Sequence, residues 1–316
     1  MIPAGPEILL SALALDLLLG DPRWLPHPVV QIGRLISFLE PRLRRLTGDT
    51  RFSGILLLVF TVSTSAGFAW LLLTTADQLP RPASLMTAII ISYTCLAARC
   101  LHTESADVAT ALLQGNLEDA RRLLSYIVGR DTDRLEEPDI WRALVETVAE
   151  NTCDGIIAPL FWLALGGPVA GIAYKAVSTL DSMVGYRNER HIRIGWASAR
   201  MDDLLNFIPA RITAILMILS APLAGLSAVQ AIRTFTRDRF NHPSPNSGHP
   251  EAAAAGALKV RLGGPASYNG VQSCKQYIGD PLLPLDERAY RGMIRLMYLA
   301  TVLMFTLATA APLLGR

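Results

Sequence analysis

The sequence has few charged residues and few cysteines, and it lacks the common nucleotide-binding and hydrolase motifs. Asp, Glu, Lys and Arg make up 18% of its 316 residues, against about 25% in typical soluble domains. The four cysteines form no CxxC pair, so neither a zinc site nor a disulfide framework is indicated. Phosphate-loop, GxGxxG, GxSxG and HExxH patterns are absent. Any nucleotide is therefore bound outside the common soluble nucleotide folds.

The charge distribution does not favour nucleic-acid binding. The net charge is +2, and no basic run is interleaved with aromatic residues as a strand-binding surface would need. We therefore expect no nucleic-acid partner.

Uncharged blocks predict membrane-spanning helices. Residues 52–76 contain no charge and as a helix would measure roughly 37 Å, more than the ~30 Å hydrocarbon core of a bilayer. Blocks 155–174, 212–232 and 296–315 have about the ~20 residues needed to cross, and 8–20 and 83–98 are weaker candidates. We expect an all-α, polytopic integral membrane protein with four to six transmembrane helices and large helical or irregular polar loops. It would form a single membrane-embedded domain over residues 1–316.

The connections between these blocks differ in basic residues. Residues 21–51, 99–154 and 233–292 hold six, six and eight Lys or Arg, whereas 77–82 and 175–206 hold one and five. By the positive-inside rule the three richer connections face the cytoplasm.

The first polar stretch, residues 20–28, contains three prolines within seven residues, which forbids a regular helix. It has two interpretations. It is a rigid helix exit with Trp24 as an interfacial anchor, or it holds Asp21 and His27 against a polar ligand. Composition alone does not separate the two.

Three carboxylates recur at helical spacing before the block at 155–174. Glu146, Glu150 and Asp154 would lie within roughly 80° on one helical face, where like charges repel. A cation should offset them. Mg²⁺ prefers carboxylate and water ligands and commonly bridges to substrate phosphates, and the alternative is Arg partners from a neighbouring helix.

A third polar stretch, residues 175–203, combines basic residues with aspartates. Arg forks and a Lys charge suit phosphate oxygens, and adjacent aspartates suit a metal. Some of these residues could instead be interfacial side chains. The residues concerned are Lys175, Asp181, Arg187, Arg190, Asp202 and Asp203.

The fourth stretch, residues 242–251, is rich in Pro, Ser, Asn and Gly and predicts a loop of the kind that often carries a site. His242 and His249 lack the spacing of a helical zinc pair.

Read in order, these stretches resemble the CobD/CbiB family of cobalamin biosynthesis, the adenosylcobinamide-phosphate synthases. The resemblance rests on five strings that together span nearly the whole chain. They are DLLLGDPRWLPHPVVQIGRL (16–35), ETVAENTCDGIIAPLFW (146–162), STLDSMVGYRNER (178–190), SARMDDLLNFIPAR (198–211) and HPSPNSGHPEAAAAGAL (242–258). One departure is Ser178, where the family string usually has Asn.

The resemblance implies an integral membrane enzyme that joins the free propionate carboxylate of adenosylcobyric acid to aminopropanol phosphate, or a related amino alcohol, as an amide. It also implies ATP and Mg²⁺. A carboxylate is a poor acyl donor and must first be activated, most plausibly as an acyl phosphate. We expect the enzyme in the cytoplasmic (inner) membrane, with the active site on the cytoplasmic side.

The residues are assigned to three expected roles. The catalytic set is Glu146, Glu150, Asp154, Asp181 and His249. Its four carboxylates, together with Asp202 and Asp203, are expected to form a Mg²⁺–phosphate centre. The set that binds ATP or the amino-alcohol phosphate is Lys175, Arg187, Arg190, Arg211, Asp21, His27, His242, Asn246 and Ser247, with residues 242–249 closing over the substrate as a loop. The metal ligands are Glu150, Asp154, Asp202 and Asp203.

Two other classes of protein stay open. A membrane prenyl or phospho-alcohol transferase would also need acidic clusters beside apolar spans, as at Asp202–Asp203, but it would use a lipid substrate and no ATP. A corrinoid transporter would place ionisable residues within the spans, whereas here most lie at span ends.

Two of the apolar blocks are expected to be interrupted. Block 155–174 contains Gly166-Gly167-Pro168, and block 212–232 contains Ala221-Pro222 with Gly225. Non-helical backbone at membrane depth is tolerated where it is buried in protein or lines a cavity. We predict that the two blocks do not both cross as straight helices and that one or both form hairpins or re-entrant half-helices.

Overall fold

The computed structural model describes residues 4–22, 26–186, 188–268 and 270–314. These residues form α-helices, one π-helical turn and one β-hairpin. The helices are α1 (Pro6–Leu19), α2 (Pro28–Thr47), α3 (Arg51–Ala76), α4 (Arg81–Tyr93), α5 (Ala98–Leu113), α6 (Leu117–Leu124), α7 (Glu137–Thr152), α8 (Ala158–Val184), α9 (Trp196–Leu205), α10 (Phe207–Ser220), α11 (Ala228–Asp238), α12 (Gly248–Leu258) and α13 (Glu287–Leu314). The π-helical turn is Cys153–Ile157, and the antiparallel strands are β1 (Leu262–Tyr268) and β2 (Val271–Ile278).

Several helical stretches are suited to a bilayer. Among the described residues, Arg51–Ala76, Arg81–Leu113, Glu137–Val184 and Glu287–Ala310 are long and apolar enough to cross. The consecutive helices α9 and α10 pass the same test when taken together, which gives five candidates at most. The predicted class is therefore confirmed: the protein is an all-α polytopic membrane protein. The weak block at 8–20 forms α1, whose 14 residues fall short of the ~20 needed.

Both apolar blocks that were expected to be interrupted contain a break. In α8, Gly167 has φ 68° and ψ −165° directly before Pro168. Glycine adopts such a positive φ without steric cost, and proline lacks the N–H that would continue the helix. Residues 212–232 are divided between α10 and α11 by a turn in which Gly225 has φ 72°. Neither block is one straight helix, and a re-entrant path in the membrane stays a prediction.

The described chain divides into two compact units, and its expected function as a single membrane-embedded domain stays a prediction. The first unit comprises the described residues of 1–97, 158–206 and 305–316. In this unit α3 packs against α2, α8 and α9, with Ile36, Leu57 and Leu180 fully buried between them. A Cβ atom at Gly54 would lie 2.2 Å from the Ile194 carbonyl oxygen, so glycine permits this close approach of α3.

The second unit comprises residues 98–157 and 207–304. Helix α12 lies at its centre and packs against α7, α10 and α11. The hairpin contacts α7 through β1, and α11 and α12 through β2. These are the only strands in the described residues, and they lie in a stretch expected to be helical or irregular.

Candidate active site

The most unusual element of the second unit is α12, because all eleven of its residues are buried. Its run of alanines has high helix propensity and a small cross-section. A Cβ atom at Gly256 would lie 2.4 Å from the Gln230 carbonyl oxygen, so α11 packs almost backbone to backbone against α12. Two ionisable residues, His249 and Glu251, are nevertheless enclosed, each with 2% of its surface exposed. His249 therefore lies in a buried helix, and its expected place in a loop is wrong.

Glu146 is held by partners that give it a structural role. Its Oε2 pairs with the Arg130 guanidinium, and its Oε1 accepts a hydrogen bond from the Gly263 amide at 2.7 Å. The carboxylate thus joins α7 to the segment before it and to β1. For Glu146, the structure therefore shows the Arg partner that the sequence analysis named as the alternative to Mg²⁺.

Asp131, the residue after Arg130, also bonds to the hairpin. Its Oδ2 accepts hydrogen bonds from the Ser267 hydroxyl at 2.6 Å and from the Gly270 amide at 2.8 Å. Glu146 at the start of β1 and Asp131 at its end therefore hold both ends of the strand.

Glu150 lies one turn further along α7 and meets the start of α12. The Ser247 hydroxyl donates to Glu150 Oε1 at 2.7 Å, which joins two of the sequence stretches that were expected to form one site. Asp154 departs from the expected stack. It lies in the π-helical turn Cys153–Ile157, whose i→i+5 hydrogen bonds change the register, so the α-helical spacing assumed for it ends at Thr152.

His242 forms a polar cluster with Glu251 and Lys275 from β2. His242 Nδ1 accepts a hydrogen bond from the Ser244 amide at 3.0 Å. Nε2 lies 3.0 Å from Lys275 Nζ and 3.7 Å from Glu251 Oε1. With Nδ1 acting as the acceptor, a neutral ring carries its proton on Nε2. An ammonium cannot accept a hydrogen bond, so the Nε2–H group of His242 and a charged Lys275 side chain repel each other.

The surroundings of this cluster shift its pKa values in opposite directions. Burial and the charge of Lys275 lower the pKa of His242 to about 4. Burial, together with the carboxylates of Glu146 and Glu150, raises the pKa of Glu251 well above its ordinary value. Glu251 is therefore the member of the cluster best suited to take up a proton.

A second, cationic group lies around His249 at the start of α12. Arg211 Nη1 donates to the Phe207 carbonyl oxygen at 2.5 Å and reaches Asn246 Oδ1 at 3.4 Å. His249 packs edge-on against Phe240 with ring centroids 5.9 Å apart. Burial and the charges of Arg211 and Arg239 lower the pKa of His249 to about 4. The expected grouping of Arg211 with Asn246 and His249 is thus present in the structure.

In the first unit, Asp21 and His27 lie next to each other before α2. His27 Nδ1 accepts from the Val29 amide at 3.3 Å, so the side chain caps α2, and Pro28 occupies the first helical position, where it is favoured. His27 Nε2 lies 3.4 Å from Asp21 Oδ1. The capping bond gives His27 a structural role, and its pairing with Asp21 leaves the ligand-binding interpretation open.

The remaining expected residues of the first unit lie on α8, on α9 and between them. Lys175 and Asp181 are half-buried on α8, and Arg190 is exposed. On α9, Asp202 Oδ2 accepts from Asn206 Nδ2 at 3.0 Å, and Asn206 Oδ1 accepts from the buried Tyr174 hydroxyl at 2.9 Å. Asp202 is therefore part of a packed polar network. Asp203 is half-buried, and Arg187 lies outside the described residues.

The carboxylates do not form a ready-made metal cage. Within the described ranges, no three His, Cys, Asp or Glu side chains come together in a way that could hold a metal ion. Mg²⁺ usually takes one or two carboxylates and completes its shell with water and substrate phosphates. Glu150 and Asp154 carry carboxylate oxygens, the hard donors that this mode of binding uses.

Four residues of this region were not singled out from the sequence: Arg130, Arg239, Glu251 and Lys275. For Glu251 a signal existed, since a carboxylate interrupts an alanine-rich apolar run, and such a residue needs a buried partner. Lys275 lies in β2 within a stretch that has no distinctive motif, and only the pairing of the hairpin with α12 places it beside His242.

The fold and this region define a class: a polytopic α-helical membrane protein with a buried acid–base cluster and an adjacent cationic group. Comparison with known proteins narrows this class. The family described as CobD/CbiB protein matches residues 9–297. The chain belongs to this family.

Individual relatives are similar over almost their entire length. A protein of Pelobacter propionicus named cobalamin biosynthesis protein CobD is 64% identical over 100% of this chain and 98% of its own. A protein of Geobacter metallireducens with the same name is 58% identical, covering 98% and 96% of the two chains. Cobalamin biosynthesis protein CbiB of Salmonella typhi is 45% identical over 95% of each chain. No solved structure matches the chain.

Proposed function

We propose that this protein acts in cobalamin biosynthesis and forms an amide between the free propionate carboxylate of adenosylcobyric acid and aminopropanol phosphate, or a related amino alcohol, at the expense of ATP. Family membership supports the pathway. The observation that supports the reaction is the pair of groups that α12 brings together. Its first turn lies beside the cations Arg211 and Arg239, and the same turn contributes Glu251 to the acid–base cluster with His242 and Lys275.

The first step of the proposed reaction activates the carboxylate. Attack of a propionate oxygen on the γ-phosphorus of ATP forms an acyl phosphate and releases ADP. Phosphoryl transfer depends mainly on positioning and charge neutralisation, which suits the cations Arg211 and Arg239. Mg²⁺ would be held by Glu150 and Asp154 and would supply further neutralisation of phosphate charge when bound.

The second step forms the amide. The amino alcohol arrives as an ammonium and loses one proton before its nitrogen attacks the acyl carbon. The carbon–oxygen bond to phosphate then breaks, inorganic phosphate leaves and the nitrogen loses a second proton. In the proposal the Glu251 carboxylate accepts the proton, because its raised pKa makes it the stronger base of the cluster, and His242 Nε2, 3.7 Å from Glu251 Oε1, lies beside it.

The experiment is ATP turnover by the purified protein in micelles. We expect ADP release only when both adenosylcobyric acid and aminopropanol phosphate are present, with one amide formed per ADP. A lipid transferase would consume no ATP, and a transporter would form no amide. Amide formation without ATP, or ATP turnover that ignores the corrinoid acid, would contradict the proposal.

A matched pair of variants tests the role of the base. Glu251→Gln keeps the size of the side chain but removes the proton acceptor, so kcat should fall by about 100-fold or more. Glu287→Gln, at the start of α13, where the side chain is half-buried and pairs with Arg291, makes the same chemical change outside the cluster and should leave kcat unchanged. Equal activities of the two variants would remove Glu251 from the mechanism.

A further inference from the structure

The start of α12 carries an imidazole that lacks hydrogen-bond partners. His249 is 2% exposed, yet neither ring nitrogen has a hydrogen bond to any described group. A buried polar group without a partner is costly, about 1–3 kcal/mol, so an unpaired imidazole points to a ligand that supplies the missing bond.

Two guanidinium groups lie beside this imidazole and share its aromatic surroundings. Arg239 stands over Phe240 and Phe235, 4.6 and 5.2 Å from the ring centroids, and His249 contacts the same two rings at 5.9 and 5.7 Å. Arg211 stands over Phe207 at 3.5 Å. All these residues belong to the second unit.

The two guanidinium groups are not neutralised by the described part of the chain. Arg211 donates to the Phe207 carbonyl and to Asn246, and Arg239 donates to the Thr236 carbonyl at 3.3 Å. Among the described residues, no carboxylate oxygen lies within 4.0 Å of either group. By contrast, Arg237 on the same helix α11 pairs with both Asp238 and Asp280.

The backbone adds positive potential at the same place. His249 lies in the first turn of α12, where helix N–H groups point outward and the macrodipole favours an anion. Since its lowered pKa keeps His249 neutral at pH 7, the ring can donate one hydrogen bond without adding a third full charge.

We infer that Arg211, Arg239 and His249 form a binding site for a phosphate group of one of the phosphate-bearing substrates. The inference rests on the proposed function for the identity of those substrates and extends it by assigning the site. Arg forks bind phosphate oxygens in pairs, and Ser247, adjacent to the site, already bonds Glu150. The phosphate would thus be held next to the carboxylate assigned to Mg²⁺.

Binding of pyrophosphate to the full chain in micelles tests the site without turnover. Arg239→Gln should raise the Kd for pyrophosphate about 10- to 100-fold, the loss expected for a charged hydrogen bond. Arg239→Lys keeps the charge but loses the fork, so it should also weaken binding. Arg233→Gln, an equal change of charge on the exposed side of α11, is the control. Equal Kd values for the Arg239 and Arg233 variants would overturn the inference.

A measurement on the unaltered protein guards against misfolded variants. Adding pyrophosphate should shift the NMR signals of one imidazole, identified as His249 by its absence in His249→Gln. Signals of His249 that stay in place at saturating pyrophosphate would overturn the site, whatever the variants do.

Competition identifies the source of the phosphate. Displacement of pyrophosphate by ADP assigns the site to the nucleotide, and displacement by phosphoethanolamine assigns it to the amino-alcohol phosphate. If neither compound displaces pyrophosphate, the assignment of the site to a substrate is contradicted. A protein that binds phosphate here yet forms no amide would refute only the proposed reaction. Normal KM values in Arg239→Gln, with the amide still formed, would refute only this site.

Discussion

Removing Arg130 provides a sharp test of the role of Glu146, for which sequence and structure suggest different functions. In Arg130→Met the Glu146 carboxylate, 3% exposed, would keep the Gly263 amide but lose its guanidinium partner. Breaking a buried ion pair by removing one partner costs about 3–5 kcal/mol. At roughly 2–4 °C per kcal/mol for a domain of this size, the thermal midpoint should fall by about 6–20 °C.

The double variant shows whether the loss of stability in Arg130→Met comes from the broken ion pair or from the lost packing of the Arg130 side chain. Arg130→Met combined with Glu146→Gln removes both charges, and replacing both members of a buried pair is often close to neutral. The midpoint, followed by far-UV circular dichroism in micelles, should therefore recover most of the loss. Arg122→Met, which breaks the exposed pair with Asp119, is the control and should change the midpoint little. A midpoint for Arg130→Met equal to this control, or a double variant less stable than either single variant, would refute the reasoning.

Three further predictions follow from the same unit. His249 should make stability fall as the pH drops from about 6.5 to about 4, because its ring stays neutral in the fold while the unfolded chain takes up a proton; this contributes up to about 3 kcal/mol, and His249→Gln should reduce the slope seen in pH-dependent thermal unfolding. Gly256→Ala should destabilise the protein by about 1–3 kcal/mol in denaturant titrations, because its Cβ meets the backbone of α11 at 2.4 Å; unchanged stability would contradict the close packing. Ser247→Ala should lower kcat about 10-fold or more while the KM for the corrinoid stays the same, because Glu150 loses the hydroxyl that orients it; an effect on KM alone would contradict this.

The membrane class could be predicted from the sequence because it depends on local properties. The block at 52–76 has no charge and coincides with α3, since length and apolarity alone decide whether a helix suits a bilayer. The breaks at Gly167 and Gly225 were predicted for a similar reason, because Gly and Pro act on their own backbone. The helical conformation of the alanine-rich part of α12, from Ala252 onward, could also have been anticipated from its composition.

The composition of the site could not be predicted, because it depends on contacts between distant parts of the chain. Ser247 and Glu150 are 97 residues apart, and Gly263 and Glu146 are 117 apart. No spacing rule relates such positions, so Lys275 gave no signal. The π-helical turn that contains Asp154 was not anticipated either, because it changes the helical register without an obvious mark in the sequence.

The most direct test of the account follows an oxygen atom through the reaction. Adenosylcobyric acid labelled with ¹⁸O in its free propionate carboxylate is incubated with ATP, aminopropanol phosphate and the purified protein, and the inorganic phosphate is analysed by mass spectrometry. An acyl phosphate route predicts that each amide formed leaves one ¹⁸O in phosphate, with ADP as the nucleotide product. Unlabelled phosphate, or label that appears in AMP, would contradict it.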